Sequence, residues 1–317
     1  MFTAYRETLS IEKKILYDLV LDELSKHSTQ EITTTLSSDI VDNIITMVRF
    51  DHPMFFDSMA VSSYKKGNMI TSFNLDYRLS DVKYNLHGTY CTNKIKNICR
   101  SARGRPIEIV KFMHDYLRNN VTYDITDKET AHSIVGPLLH GKGVCDGISF
   151  TMKALLDYCN VESCVVQGAG NKQIGENDSN HAWNMVRLED EWFHLDVTYD
   201  MGLSSEGLTR YDYFVLSDEE ISVDHKVVLS PGYKCEKTGR NYYDVTEHSI
   251  SSKAELRSLL RKRVADRDKR FVVKIKFNSK WRPGIDEIAD IINEYYSAFV
   301  LFPNKKQEVY EIITKDE

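Results

Sequence analysis

The chain has 317 residues, 42% hydrophobic and 28% charged, with a formal net charge of −6 and a pI near 6.0. That length allows a sizeable core and about two domains by size, while the mild acidity gives no electrostatic claim on nucleic acid or anionic lipid. The six cysteines, with no CxxC pair, exclude a disulfide scaffold and match no common zinc spacing, so reduced thiols are expected, with neither metal nor cofactor.

Met1 leads directly into Arg6, Glu7 and Glu12-Lys13-Lys14, without an apolar stretch of secretory length, and no segment is apolar enough to span a bilayer. As written the chain reads as cytoplasmic and free of membranes; if residues ahead of Met1 are missing, it reads as exported. Ile11, Ile15, Leu16, Leu19 and Leu24 recur at helical spacing and predict a first helix. A second begins at Ser37-Ser38-Asp39, carries Ile40, Ile44, Ile45 and Val48, and ends at Asp51-His52-Pro53. Residues 59–90 read as short strands, with turns at Lys66-Gly67-Asn68 and Leu86-His87-Gly88.

Arg103-Gly104-Arg105-Pro106 marks a boundary, and Pro106 suits the first turn of a helix carrying Ile109, Val110, Met113 and Leu117. Gly141 and Gly143 lead into Cys145, after which Ile148, Met152, Leu155, Leu156 and Cys159 form another helical stripe. A strand over 161–168, a polar loop over 170–180, and strands over 181–187 and 192–198 follow. Beyond residue 240, a Ser252/Glu255 capping pattern opens a helix, and Phe271–Phe277, Ile285–Tyr295, Phe299–Phe302 and Val309–Ile313 read as strand, helix, strand and strand. These signals divide the chain into an N-terminal helical and small-sheet region, 1–104, a core, 105–239, and a small C-terminal α/β unit, 240–317.

Nucleophilic attack by cysteine needs a thiolate, a base that shuttles its proton, and a group that orients the base. Gly143-Val144-Cys145-Asp146-Gly147 places Cys145 at a helix N-terminus, where the helix dipole and unpaired N–H groups favour a thiolate and the Cys145 N–H can serve an oxyanion. Asp146 partly opposes this. A two-residue turn at Glu189-Asp190 places Trp183 opposite Asp196 and His181 opposite Thr198, so His181 and Asp196 become diagonal neighbours on one face. A three-residue turn without a bulge would put them on opposite faces. Each residue also has a plain structural reading, as core thiol, satisfied strand histidine or strand-ending carboxylate, and His194 competes as a partner for Asp196. A metal site or plain core explains the combination less well.

Gly143-Val144-Cys145-Asp146-Gly147, His181-Ala182-Trp183-Asn184-Met185-Val186 and Trp192-Phe193-His194-Leu195-Asp196-Val197-Thr198-Tyr199-Asp200 together resemble bacterial transglutaminase-like domain proteins, a superfamily that groups transglutaminases with cysteine peptidases. The resemblance implies an α+β fold with a papain-like core, in which a helix carrying the cysteine packs on an antiparallel sheet carrying the histidine and the acid. It implies Cys145 as nucleophile, His181 as general base and acid, and Asp196 as orienter. Ile148-Ser149 and Tyr199 depart from the usual Tyr-Ala and Trp, which bears on pocket shape and removes no triad atom. The expected activity is acyl transfer from peptide or protein amides through a thioester, with hydrolysis favoured over transfer to an amine. The alternative is a non-catalytic binding protein that uses the same core. Tyr123, His132 and His140 are candidates for a second oxyanion donor. The loop 170–180, Phe55-Phe56 and the C-terminal unit are expected to wall the cleft.

Overall fold

The computed structural model describes residues 2–57, 59–126, 130–170, 180–204 and 208–315. Its central sheet is antiparallel and has five strands: β1 (Ser163–Gly170), β2 (Asn180–Leu188), β3 (Glu191–Leu195), β4 (Phe214–Leu216) and β5 (His225–Leu229). They lie in the order β5-β1-β2-β3-β4. The chain thus adopts the expected α+β architecture. β1 is buried along nearly its whole length, as a strand covered on both faces must be. Val165, Ala182 and Val186 join the main core with the helix Cys145–Tyr158, while Cys164, Val166, Trp183 and Met185 form a second cluster with Ala4.

The helix Cys145–Tyr158 is buried at every position from Gly147 to Leu156. Ile148, Met152, Leu155 and Leu156 each gain about 1.5–3 kcal/mol from leaving water, which makes this helix the core's main support. The helix Pro106–Asn120 begins at the expected proline and buries Val110, Met113, His114 and Leu117. In the C-terminal part, the helices Lys253–Asp266 and Ile285–Asn293 pack on a four-stranded sheet. Its residues Val272 and Val309 reach into the main core.

The strand reading of 59–90 holds only in part. Met59–Lys66 and Met69–Tyr77 do form a hairpin, but Asp81–Cys99 is a helix. Its buried stripe is confined to Cys91, Ile95, Ile98 and Cys99, while Val82 and Leu86, although at helical spacing, face solvent. Gly88, read as a turn, lies inside this helix against the Phe56 ring, 3.8 Å from where a Cβ would sit. In the first long helix, Ile11–Lys26, the buried face is Leu16, Tyr17, Val20 and Leu24; Ile11, Ile15 and Leu19 point outward. The expected strand over 192–198 ends at Leu195, and Val197–Leu203 is a helix.

Candidate active site

Cys145 is the first residue of its helix, with the extended Val144 as N-cap. Two short strands pin the approach: Thr122–Tyr123 pairs in parallel with Lys142–Gly143, and Val144 N–H donates to the Ala131 carbonyl at 3.1 Å. A Cβ on Gly147 would stand 2.0 Å from that same carbonyl oxygen, so only glycine lets the chain near Ala131 lie against the first turn. Cys145 is partly exposed, whereas Cys91, Cys99, Cys164 and Cys235 are buried. Burial pushes the thiols of Cys91 and Cys164 up to about 12.

The turn at Glu189-Asp190 has two residues, with Glu189 in the left-handed region at φ 59°. The pairs Leu188–Glu191, Arg187–Trp192 and Asn184–Leu195 follow the register that such a turn requires. The ladder stops before Asp196, which is instead the N-cap of the helix Val197–Leu203. Its Oδ1 accepts the Tyr199 N–H at 3.0 Å, and its backbone N–H donates to the Tyr213 carbonyl at 3.0 Å. Its Oδ2 lies 2.5 Å from His181 Nε2. The His181 ring and the Tyr123 hydroxyl are close enough to interact with the Cys145 thiol, and all three line one cleft. Cys145, His181 and Asp196 therefore stand together.

Burial alone lowers the His181 pKa, but the charge and hydrogen bond of Asp196, with the Cys145 contact, raise it to about 10. Burial alone would raise the Asp196 pKa; His181 and then His225 outweigh it and hold the carboxyl well below its ordinary range. The two directions agree on an ion pair.

The motif residues around His181 hold the cysteine helix against the sheet. Ser149 Oγ donates to the Ala182 carbonyl at 3.0 Å, and Asn184 Nδ2 donates to the Ser149 carbonyl at 3.0 Å. Trp183 is fully buried, and its ring is stacked on His181 with centroids 5.7 Å apart. Its indole N–H donates to His194 Nδ1 at 3.0 Å, while His194 Nε2 meets Asp218 at 2.9 Å. His194 is thereby engaged elsewhere and is not the partner of Asp196.

A residue not singled out from the sequence completes the arrangement. His225 Nε2 lies 3.0 Å from Asp196 Oδ2, and its Nδ1 lies 2.7 Å from Asp224 Oδ1. His225 sits on β5, which joins the sheet beside β1 with His225 opposite Gly170. The only local signal was the Asp224-His225 dipeptide; its placement depends on a strand pairing between distant segments.

The cleft above Cys145 and His181 has a volume of about 880 Å³. Tyr123 and Arg118 border it on one side, Tyr199, Met201 and Leu203 on another, and Asn304 reaches it from the C-terminal unit. Phe55 and Phe56 do not line it; Phe56 stacks on Tyr84 at 4.8 Å. Of the loop expected to border it, residues 171–179 lie outside the described residues. His132 is paired with Asp146 at 2.9 Å, and neither it nor His140 is among the cleft's lining residues, which leaves Tyr123 as the candidate beside the thiol.

Two clusters among the described residues have the donor set for a cation: His181, Asp196 and His225, and His194, Asp218 and Cys235. In the second, the donor-only indole of Trp183 occupies His194 Nδ1, so Nε2 carries the proton that faces Asp218. In the first, N–H···O hydrogen bonds account for the short distances.

Residues 94–197 match the family model of the transglutaminase-like superfamily. Among solved structures, a TGase is similar at 14% identity and a TM-score of 0.32, over 56% of this chain and 51% of that one. The periplasmic domain of TgpA from Pseudomonas aeruginosa is similar at 14% identity and a TM-score of 0.29, over 45% of this chain and 68% of that one. Menin is similar at 12% identity and a TM-score of 0.30, over 69% of this chain and 53% of its own. No curated protein matches the chain. Among the described residues, no helix is long and apolar enough to cross a membrane.

Proposed function

The chain carries a transglutaminase-like core over residues 94–197, and from that premise we propose that it is a cysteine-dependent acyl-transfer enzyme acting on peptide or protein amides. The observation that carries this reading is the placement of His181 between the Cys145 thiol and the Asp196 carboxylate, at the wall of an open cleft. With the thiol proton passed to His181, Cys145 Sγ attacks the amide carbon, and the carbonyl electrons move onto the oxygen. The Cys145 N–H, in a first helical turn whose N–H groups lack intrahelical acceptors, faces that oxygen together with the Tyr123 hydroxyl. Collapse expels the amine, which takes its proton from His181, and leaves a thioester. Water, deprotonated by His181, then releases the acid and the thiol. An amine in place of water would give transfer; hydrolysis is favoured because water is always present.

Two experiments test the reading. Intact-protein mass spectrometry after exposure to an electrophilic peptide library, with peptide mapping, is expected to find one adduct, on Cys145, that is lost in Cys145→Ala. Labelling at Cys159 with Cys145 untouched would remove the nucleophile and the reading with it. Tyr123→Phe tests the oxyanion assignment. Amide or thioester turnover should fall by roughly 10²–10³, while alkylation by iodoacetamide, which forms no oxyanion, stays within about twofold. Equal turnover in the two proteins would free Tyr123 of the role.

A further inference from the structure

The hydrogen-bond inventory around Asp196 continues past the triad. Asp196 Oδ2 faces two imidazole nitrogens, His181 Nε2 at 2.5 Å and His225 Nε2 at 3.0 Å. The far side of His225 meets a second carboxylate, Asp224, at 2.7 Å. Asp224 in turn accepts the Tyr213 hydroxyl at 2.6 Å and Gln307 Nε2 at 3.3 Å. Asn304 Nδ2 donates to the Tyr213 hydroxyl at 3.4 Å. His225, Asp224 and Asp196 are all buried.

Counting protons decides the state of His225. A neutral imidazole has one N–H, so one of its nitrogens would turn a lone pair against a carboxylate oxygen in a buried setting. Protonating Asp224 instead would neutralise a carboxylate towards which the Tyr213 hydroxyl and the Gln307 amide already donate. The arrangement is satisfied when both nitrogens of His225 carry protons and both carboxylates are ionised. The groups facing the ring are Asp196, Asp224, His181 and Trp183 of β2, Tyr199 with ring centroids 4.5 Å apart, and Tyr213 at 5.4 Å. Burial alone lowers the His225 pKa, and the hydrogen bonds to Asp196 and Asp224 outweigh it and raise it.

We propose that His225 is a positioning residue: held as an imidazolium between Asp224 and Asp196, it fixes the Asp196 carboxylate on His181. The inference rests on the catalytic reading of Cys145, His181 and Asp196. Through Gln307 and Asn304 it also ties the geometry of the site to the C-terminal unit, which contributes no reacting group. Asp196 is left with a fixed donor on each oxygen besides His181, the Tyr199 N–H on Oδ1 and His225 on Oδ2, and so has one orientation.

Two substitutions separate positioning from space-filling. In His225→Gln the side-chain amide falls near the old Nε2 and still donates to Asp196. In His225→Asn it falls near the old Nδ1 and serves Asp224 alone. The readout is the rate of Cys145 alkylation by iodoacetamide across pH in the full-length protein, with the thermal midpoint measured alongside. His225→Gln is expected to react within about threefold of the parent. His225→Asn should lose roughly tenfold or more, and the upper limb of its profile, where His181 gives up its proton, should move to lower pH. Equal rates and profiles in all three proteins would overturn the inference, as would equal losses in both variants with a matching fall in midpoint. If the parent protein shows no selective alkylation at Cys145, the catalytic reading falls and takes this inference with it. Selective parent alkylation with unchanged variants removes only the role of His225.

Discussion

Asp196→Asn is expected to lower acyl-transfer turnover by roughly 10³–10⁴-fold, a larger loss than the removal of a simple orienting group. Both carboxylate oxygens are acceptors: Oδ1 takes the Tyr199 N–H, and Oδ2 takes the N–H groups of His181 and His225. An asparagine must set its NH₂ group against one of these sides, so a donor faces a donor in a buried site whichever way the amide turns. Leaving one such donor unpaired costs about 1–3 kcal/mol. The charge that holds the His181 pKa at about 10 is lost as well. The upper limb of the Cys145 alkylation profile should therefore move down towards the ordinary imidazole value of 6.5. A variant with parent turnover and an unmoved profile would remove Asp196 from the mechanism.

Gly147→Ala is the second large effect, and it acts on stability before it acts on chemistry. The added Cβ would stand 2.0 Å from the Ala131 carbonyl oxygen and 3.0 Å from that of Ser133, both backbone atoms that no rotamer change can move. Relief requires the helix start and the neighbouring chain to separate, at a cost of about 3 kcal/mol or more. Calorimetry or circular dichroism should register a drop of several degrees in midpoint, and Cys145, two residues away, should react more slowly with iodoacetamide. An unchanged midpoint would mean that the Ala131 contact is softer than its geometry indicates.

How much of the site was legible depended on how local each contact is. The β2–β3 hairpin was readable because its turn is short and period-2 alternation fixes parity, and the register follows the two-residue turn. Asp196 was found with the wrong backbone: the run Trp192–Thr198 looks like one strand, yet the carboxylate caps a helix, and a side chain that accepts a backbone N–H three residues on ends a strand as readily as it caps. The helix Asp81–Cys99 was hidden because half of it faces water and because Gly88, a turn signal in the sequence, sits inside it. His225 was out of reach for a different reason. It meets Asp196 across 29 residues of sequence, through a strand that pairs with β1 at the sheet's edge. No window of sequence contains that contact.

The two hydrogen bonds that join Ser149 to the backbone of Ala182 and the side chain of Asn184 have a consequence for how such a protein can diversify. They fasten the helix of the nucleophile to the strand of the base, so the distance between sulfur and imidazole is set inside the core. Much of the cleft's lining comes from other pieces: the short helix with Tyr199, Met201 and Leu203, the strand end at Tyr123, and Asn304 from the far end of the chain. The spacing of Cys145 and His181 and the outer lining of the cleft are thus drafted on separate parts of the scaffold. Substitutions at Met201 or Leu203 can reshape what enters without disturbing the spacing between Cys145 and His181, which leaves a lineage free to change what the cleft admits while the fastening beneath it stands still.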